Sequence, residues 1–465
     1  MVKNSYEKLQ KKLVDSKQSS WLSYTQKEKK EVFSLSENYK KFLAKAKTER
    51  LTVIEVVSQL KKKGFKNLET VKTIKSGDKV YKTFKEKTVI AFIAGKNLSD
   101  LRIIGSHMDS PRLDLKPQPL YEDSNLALLK SHYYGGIKKY HWVNNPLALH
   151  GVIFTKKGKQ ITISIGEKEN EPKFIIPDLL PHLAQEQYKK PAAKLVEGED
   201  LNILVGSIPV NDDTIKDGIK LAVLEHLNKE YGLVEEDFFT AELELVPAGK
   251  PFDVGFDKGL IGAYGQDDGV CVYTSLQAIT EITKPKSTAV ALFVDKEEIG
   301  STGGTGAEGF ILRNSVIQFL QKTSCKENVD TVLEKAKALS ADVTAGVNPN
   351  HKEVHDLHNA SYLGKGVSIE KYGGSRGKYG TNDANAEYMN EMRMLCAKHK
   401  VKWQTGELGK IDIGGGGTIA MFMSRHGMDT VDAGPCVLGM HSPYEITSKA
   451  DIYEAYKLYK AFFSN

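Results

Sequence analysis

The spacing of apolar residues divides the chain into stretches of different character. The first sixty residues carry leucine, valine and phenylalanine at helical spacing among lysine and glutamate, which predicts two or three amphipathic helices. From about residue 87, short apolar runs begin at KTVIAFIAG and LRIIGSH. Such runs, bounded by glycine and polar turns, predict buried strands of a sheet that is covered on both faces.

Residues 113–252 follow another pattern. Alternating segments such as HGVIFTKKGKQITISIG and FFTAELELVPAG predict hairpins with solvent on one face. After residue 253, strands and helices alternate again. TAVALFVD is a predicted strand, whereas GVCVYTSLQAITEI, NSVIQFLQKTS, VDTVLEKAKAL and the closing ADIYEAYKLYKAFF are predicted helices. We therefore expect an α/β catalytic domain at 1–112 and 253–465, interrupted by an inserted, mostly β domain at 113–252.

Composition narrows the class of protein. The length of 465 residues exceeds one ordinary core and predicts two or three domains. The net charge of +6 comes from dispersed lysines without an aromatic and arginine platform, which argues against a nucleic-acid partner. No apolar run approaches the roughly 18 residues that span a membrane, and the N-terminal segment lacks the apolar region of a secretory signal. Four cysteines without CxxC spacing predict buried thiols in a reducing, cytoplasmic location.

Candidate chemistry lies directly after several apolar runs, where α/β sheets place their sites. The acids and histidines concerned are His107, Asp109, Asp267, Asp268, Glu297, Glu298, Asp342 and His441. Hard oxygen donors together with two imidazoles suit two divalent metal ions, zinc best, with cobalt or manganese as alternatives. Two metal ions in one cleft imply hydrolysis by an activated water.

The first two motifs each allow a structural alternative. In GSHMDSP, His107 can bind a metal ion while Asp109 accepts a hydrogen bond from its second ring nitrogen. The alternative is a structural histidine at the end of a strand beside an aspartate in a turn. In GQDDG, Asp267 can bridge two cations, and Asp268 can serve as the acid at the start of the following helix. The alternative is that both aspartates cap that helix.

The later motifs complete the set. Two acids directly after an apolar strand are costly unless something needs them, so Glu297 and Glu298 fit a general base beside a metal ligand; a solvated turn is the alternative. Asp342 and His441 are uninformative alone but complete about four ligands for each zinc ion. The glycines at 414–417 either offer main-chain N–H groups to a substrate or form a tight turn before the helix TIAMFMSRHG.

The ordered motifs HxDSP, QDDG, DKEEIGS, D-x-x-A-x-x-x-PN and MHS resemble the aspartyl aminopeptidase and vacuolar aminopeptidase I family of di-zinc exopeptidases. The resemblance covers nearly the whole chain, including YGG at Tyr134, IPDLLPHLAQ around His182 and LGKG at 363–366. It implies a three-layer α/β sandwich of the di-zinc exopeptidase type with an inserted β-rich dimerisation domain. It also implies peptide substrates and a tetrahedral homo-dodecamer built from dimers.

The resemblance also implies roles for the residues. The zinc ligands would be His107, Asp267 as the bridging carboxylate, Glu298, Asp342 and His441. Glu297 would be the general base, and Asp109 would orient His107. His182, in the inserted domain, would reach the neighbouring subunit's site and help to stabilise the transition-state oxyanion.

The chain departs from the family pattern at positions away from these ligands. Gly346 and Asn348 stand where histidines are frequent, and Asn144 and Asn145 stand where acids are usual. Glu370 lies near the position at which a basic residue reads an acidic substrate side chain in relatives. A carboxylate there would repel acidic side chains, so we hypothesise a preference for neutral or basic N-terminal residues.

The prediction is therefore a metal-dependent aminopeptidase. The same ligand set would also serve a related di-zinc amidohydrolase or carboxypeptidase. A catalytically silent shell that retains metal for folding is the alternative from another class, although a structural zinc ion needs no general base such as Glu297.

Overall fold

A computed structural model describes residues 2–14 and 18–465. Met1 and residues 15–17, which belong to the predicted N-terminal helices, lie outside the described residues. The described chain has a mixed α/β fold.

Helices are distributed along the whole described chain. They are α1 (Val2–Leu13), α2 (Gln26–Leu43), α3 (Glu49–Lys62), α4 (Gln185–Tyr188), α5 (Gly218–Tyr231), α6 (Gln266–Glu281), α7 (Ile311–Gln321), α8 (Val329–Glu334), α9 (Ala386–His399), α10 (Ala420–Ser424) and α11 (Lys449–Ser464). The prediction of two or three N-terminal helices is confirmed by α1, α2 and α3. Thr25 and Glu28 form a capping box that starts α2. Each side chain accepts a hydrogen bond from the main-chain N–H of the other residue.

The strands form four sheets. In chain order they are β1 (Lys66–Asn67), β2 (Lys79–Phe84), β3 (Thr88–Ile93), β4 (Asn97–His107), β5 (Arg112–Asp123), β6 (Leu126–Tyr134), β7 (Leu147–Phe154), β8 (Gln160–Ile165), β9 (Ile203–Gly206), β10 (Glu242–Pro247), β11 (Phe252–Val254), β12 (Leu260–Ala263), β13 (Ser287–Val294), β14 (Lys337–Ser340), β15 (Thr344–Ala345), β16 (Val367–Glu370), β17 (Gly374–Ser375), β18 (Trp403–Thr405), β19 (Gly415–Gly416), β20 (Asp429–Gly434), β21 (Cys436–Leu438) and β22 (Glu445–Ser448).

The largest sheet has nine strands in the order β1-β2-β3-β13-β4-β14-β20-β16-β18. Side chains of β3 alternate between two cores. Val89 and Ala91 pack in the core that includes α2, α3, α6, α9 and α11, whereas Ile90 and Phe92 pack in the core that includes α7 and α8. Helices thus cover both faces, which explains why the KTVIAFIAG run is apolar at consecutive positions.

The predicted hairpins lie in a second, six-stranded sheet in the order β8-β7-β10-β5-β6-β9. All of its strands come from residues 112–247, and α5 packs against it, so this region also contains a helix of fourteen residues. A third sheet, β11-β12-β22-β21-β15, carries two of the candidate site loops. Among the described residues, no helix combines the length and apolarity needed to cross a bilayer.

One local prediction was wrong, and a second holds only in part. VDTVLEKAKAL is not one helix, because α8 ends at Glu334 and Lys337–Ser340 is strand β14 in the centre of the large sheet. The β-sheet pairing of this segment with β4 and β20 overrides its helical spacing. The helix predicted for TIAMFMSRHG is confined to α10, and Gly415–Gly416 forms a short strand paired with β17.

Candidate metal centre

Three adjacent parallel strands bring their carboxyl ends to one edge of the large sheet. His107 is the last residue of β4, and it pairs with Val294 at the end of β13. Glu297 and Glu298 follow β13 in a short 3-10 turn, and Asp342 lies two residues beyond β14. Because β13, β4 and β14 are neighbours, these side chains meet although they are far apart in sequence.

The third sheet supplies the remaining residues. Asp267 lies at the start of α6, just after β12, and His441 lies in the loop between β21 and β22. The peptide bond from Asp267 to Asp268 is cis, and both residues have non-helical dihedral angles. Asp268 is an acid in the first turn of α6, as predicted, and its Oδ2 also accepts a hydrogen bond from the main-chain N–H of His107 at 3.3 Å.

Five of the candidate residues form two groups that share Asp267. In the first group, Nε2 of His107 lies 3.1 Å from Oδ1 of Asp267 and 3.7 Å from Oδ1 of Asp342. In the second group, Nε2 of His441 lies 3.2 Å from Oδ2 of Asp267 and 3.3 Å from Oε2 of Glu298. We call these groups the His107 cluster and the His441 cluster. The ligand atoms of each cluster lie within 4.8 Å of one another.

The donors in both clusters fit divalent metal ions. Each cluster offers one imidazole and two carboxylates, which is the donor set that zinc accepts. Oε1 of Glu298 is buried and has no hydrogen-bond partner among the described residues, and an unpaired buried carboxylate oxygen is costly without a cation. The two oxygens of Asp267 face different clusters, as a bridging carboxylate requires.

Asp109 contacts both His107 and the turn that carries the two glutamates. Nδ1 of His107 lies 2.9 Å from the main-chain oxygen of Asp109 and 3.4 Å from its Oδ1. The carboxylate of Asp109 accepts the main-chain N–H groups of Glu297 and Glu298, both at 3.1 Å. The sequence suggested only the contact with His107; the structure adds that Asp109 fixes the Glu297–Glu298 main chain.

Glu445 is a site residue that sequence reasoning missed. It is buried on β22 and accepts the main-chain N–H of His441 at 2.8 Å and that of Asp267 at 3.0 Å. It therefore joins the two loops of the His441 cluster. Its only signal in the sequence is an acid four residues after His441, which by itself is indistinguishable from a solvated turn residue.

Charges in the site shift the pKa values of its groups. Burial would lower the pKa of His441, but the hydrogen bond with Asp267 and the charge of Glu298 raise it to about 10. Burial, opposed by the charge of His107 and reinforced by Asp342, raises the pKa of Glu297 to about 8. The site thus retains protons that metal binding would displace, because ligands must be deprotonated.

Two further candidates lie apart from the clusters. His182 is exposed on a 3-10 turn, Pro181–Leu183, between β8 and β9, and neither cluster includes it. Glu370 is buried at the end of β16, where Thr344 donates a hydrogen bond to it. Burial raises the pKa of Glu370 to about 8, so that its carboxyl group is mostly protonated at neutral pH and repels an acidic side chain less than the sequence suggested.

A mixed α/β fold with imidazoles and carboxylates at its strand ends defines a metal-dependent hydrolase. The sequence profile of the family described as aminopeptidase I zinc metalloprotease (M18) matches residues 42–463. A probable M18 family aminopeptidase 1 from Clostridium acetobutylicum is 48% identical over 457 residues, which cover 96% of this chain and 98% of the relative.

Solved structures agree with this match. The crystal structure of an M18 family aminopeptidase from Thermotoga maritima has a TM-score of 0.92 at 44% identity and covers 97% of this chain and 99% of that chain. The structure of the S. cerevisiae mApe1 dodecamer shares the fold, with a TM-score of 0.74 at 23% identity over 92% of this chain and 95% of that chain.

The chain belongs to the M18 family of zinc metalloproteases. It is a metalloaminopeptidase, a hydrolase that acts on peptide bonds, as the ordered motifs predicted. These matches do not favour the amidohydrolase, carboxypeptidase or silent-shell alternatives.

Proposed function

We propose that the protein removes N-terminal amino acids from peptides with two zinc ions, one in each cluster. His107 and Asp342 would hold one ion, His441 and Glu298 the other, and Asp267 would bridge them. The observation that carries the proposal is that the two oxygens of one carboxylate face two separate imidazoles, at 3.1 and 3.2 Å.

Bound zinc supplies Lewis acidity that polarises a carbonyl group and lowers the pKa of water. The protein's own contribution centres on Glu297. Its carboxylate takes a proton from the attacking water and passes it to the nitrogen of the leaving amine. Asp109 keeps this carboxylate in place, because it accepts the main-chain N–H of Glu297.

The adjacent glutamates allow a paired test. Glu297→Gln should lower kcat by about 10³-fold while zinc content stays at two ions per chain, because removal of a general base affects proton transfer alone. Glu298→Gln should lower zinc content, because it replaces a ligand. The control is Glu308→Gln, since Glu308 is exposed in the same loop.

The measurements are zinc per chain by elemental analysis and initial rates on amino-acyl chromogenic substrates, with and without a chelator. Activity that survives in Glu297→Gln would refute the role of Glu297. Equal zinc loss in both variants would show that the two glutamates are not divided into base and ligand.

The preference for neutral or basic N-terminal residues remains a hypothesis. It is supported by an acid, Glu370, in place of a base. Burial favours the protonated form of this carboxyl group, which reduces its repulsion of acidic side chains. A panel of Asp, Glu, Leu, Lys and Ala substrates tests it. Lower kcat/KM for Asp and Glu than for Leu and Lys supports the hypothesis, and equal or better cleavage of the acidic substrates removes it.

We also propose that residues 1–112 and 253–465 form the catalytic three-layer sandwich, and that 113–252 forms the inserted oligomerisation domain of a dodecamer built from dimers. The six-stranded sheet of residues 112–247 supports the division. The named dodecamer of a fold relative supports the assembly. Apolar side chains exposed around His182 support contact with another copy there: Leu179, Leu180 and Leu183.

A mixing experiment tests the role of His182 in a neighbouring site. His182→Ala and Glu297→Gln chains, each nearly inactive alone, should regain activity when dissociated and reassembled together, because a mixed pair contains one intact site. His351→Ala, which changes another exposed histidine, is the control. The mass of the assembly is measured by light scattering against twelve chains of 51.6 kDa. Mixed assemblies without recovered activity would refute the contribution between subunits.

The cytoplasmic location also remains a proposal. All four cysteines are free, and three are buried, which fits a reducing compartment. Cell fractionation with an antibody tests this directly, and recovery in a secreted fraction would contradict it.

A further inference from the structure

Three consecutive residues contact the candidate metal centre. The first is the last residue of strand β6, in the six-stranded sheet, and the other two follow it. We call them the Tyr134–Gly136 segment. The hydroxyl of Tyr134 donates a hydrogen bond to Oδ2 of Asp109 at 2.8 Å. The main-chain oxygen of Gly136 accepts a hydrogen bond from Nδ1 of His441, also at 2.8 Å. One segment therefore contacts Asp109, which lies beside the His107 cluster, and His441 itself.

The middle residue of the segment packs directly on a proposed ligand. A Cβ atom added to Gly135 would lie 3.4 Å from Cβ of Glu298, and the φ angle of this glycine is +76°. The main chain thus passes close to Glu298 in a conformation that favours glycine.

The carboxylate of Asp109 is the point at which Tyr134 acts. Its Oδ2 accepts both the Tyr134 hydroxyl and the main-chain N–H of Glu298, and its Oδ1 accepts the N–H of Glu297. Nδ1 of His107 lies 3.4 Å from the same Oδ1. A change in the orientation of this carboxylate would therefore shift the general base, a ligand and an imidazole together.

A buried charge network fixes the ring of Tyr134. The guanidinium of Arg112 lies 4.1 Å from the ring centroid and is itself buried. Arg112 donates to Oε2 of Glu49, at the start of α3, at 3.0 Å and lies 3.6 Å from Oε1 of Glu244 in the six-stranded sheet. Stacking on a planar guanidinium that is held by carboxylates on both sides leaves one orientation for the phenol.

We propose that Tyr134 is a positioning residue that acts through Asp109, so that the six-stranded sheet sets the zinc affinity and turnover of the centre. The inference rests on the ligands proposed above. Hydrogen-bonded partners outside the ligand set hold ligands in their binding geometry, and their loss costs 10–100-fold in metal affinity or activity. The hydroxyl points to Asp109, so its removal acts on kcat and not on substrate binding.

The test is Tyr134→Phe in the zinc-loaded full chain, which removes the hydroxyl and keeps the ring on Arg112. We expect about tenfold weaker zinc binding in chelator competition, about tenfold lower kcat with KM unchanged, and an altered absorption spectrum of the cobalt-substituted protein. Tyr133→Phe is the matched control, because Tyr133 is the preceding residue, with a side chain that is 41% exposed. Tyr134→Phe values equal to those of Tyr133→Phe would overturn the proposal.

Two further variants separate a positioning role from a general loss of stability. Asp109→Asn combined with Tyr134→Phe should weaken zinc binding by less than the product of the single effects, because both changes act through one carboxylate. Fully multiplicative effects would refute the route through Asp109. Should Tyr134→Phe fail to fold, Arg112→Lys, which keeps the charge but loses the planar stack, is expected to weaken zinc binding in the same direction. Unchanged zinc affinity in Arg112→Lys would then refute the proposal.

The ligand assignment is checked separately with His107→Ala. Unchanged zinc affinity in that variant would refute the assignment itself, whereas loss of zinc in His107→Ala with none in Tyr134→Phe would refute only the positioning role.

Discussion

The His107 cluster and the His441 cluster share Asp267 but draw on different parts of the fold. The His107 side chain is 2% exposed at the end of a central strand, and its second ring nitrogen contacts Asp109, two residues away. The His441 side chain is 30% exposed, and the residue lies in a loop, where its φ angle is 65°. Its second ring nitrogen contacts Gly136, which is 305 residues away in the sequence.

The difference shows which half of the centre depends on long-range assembly. Strand order and register in one sheet bring His107 and Asp342 together, and only Asp267 of this cluster comes from the third sheet. The His441 cluster needs the third sheet, the six-stranded sheet and Glu445 in position together. We therefore expect changes at Asp267 to affect both clusters, and a change at either histidine to affect mainly the cluster to which that histidine belongs.

The largest expected effect comes from the residue that the clusters share. Asp267→Ala should remove ligands from both clusters, so we expect zinc affinity to fall at both and kcat/KM to fall by about 10³-fold or more. Zinc titration of the metal-free protein measures both sites. Asp268→Asn is the matched neighbour, because its side-chain oxygen can still accept the N–H of His107 and it should keep both ions. One site of full affinity in Asp267→Ala would contradict the bridging role.

The strand-end residues of the site were predictable from the sequence, because an acid or histidine directly after a buried strand is costly to bury unless a cation or another polar group pairs with it. His107, Glu297 and Asp342 follow this pattern. Their grouping was not predictable, since the pairing of Asp342 with His107 depends on β4 lying between β13 and β14.

Residues that position the proposed ligands and the general base left no signal in the pattern. Glu445 and Tyr134 contribute only after distant loops have met, and the position of Asp268 at the start of a helix gave no indication of its contact with His107. The strand β14 was hidden for a related reason: its four residues follow a short helix with the same spacing, and only their neighbours in the sheet make them a strand. The order of the motifs along the chain carried the family resemblance, and the resemblance supplied what spacing could not, namely an expected role for each residue.

An intermediate effect distinguishes the histidines in the metal-free protein. His107→Ala removes a buried imidazole from between Asp109, Asp267 and Asp342 and should lower the free energy of unfolding by about 3 kcal/mol. His441→Ala removes a partly exposed side chain and should cost about 1 kcal/mol. Thermal unfolding after chelation ranks them. A lower Tm for His441→Ala than for His107→Ala would reverse the comparison between the clusters.

The smallest effect is the pH dependence of that same metal-free protein. The hydrogen bond with Asp267 and the charge of Glu298, despite burial, raise the pKa of His441 from 6.5 to about 10. A raised pKa contributes stability that is complete below about pH 6.5 and is lost as pH rises to about 10. Glu297 and Glu445, whose pKa values burial raises to about 8, act with the same sign, because the folded state binds more protons than the unfolded state.

We therefore expect the Tm of the chelated wild-type protein to fall between pH 6 and pH 10. In His441→Ala the decline should be shallower, so that the difference between the two proteins is largest near pH 6 and small at pH 10. The contribution of Glu297 and Glu445 persists in both proteins and does not change this convergence. Zinc-loaded wild-type protein should lack the decline above pH 6.5, because a bound metal ion replaces the proton on the imidazole. A Tm difference that stays constant across this range would show that His441 carries no proton in the metal-free centre. The stability of the His441 cluster would then not depend on the charge of its histidine.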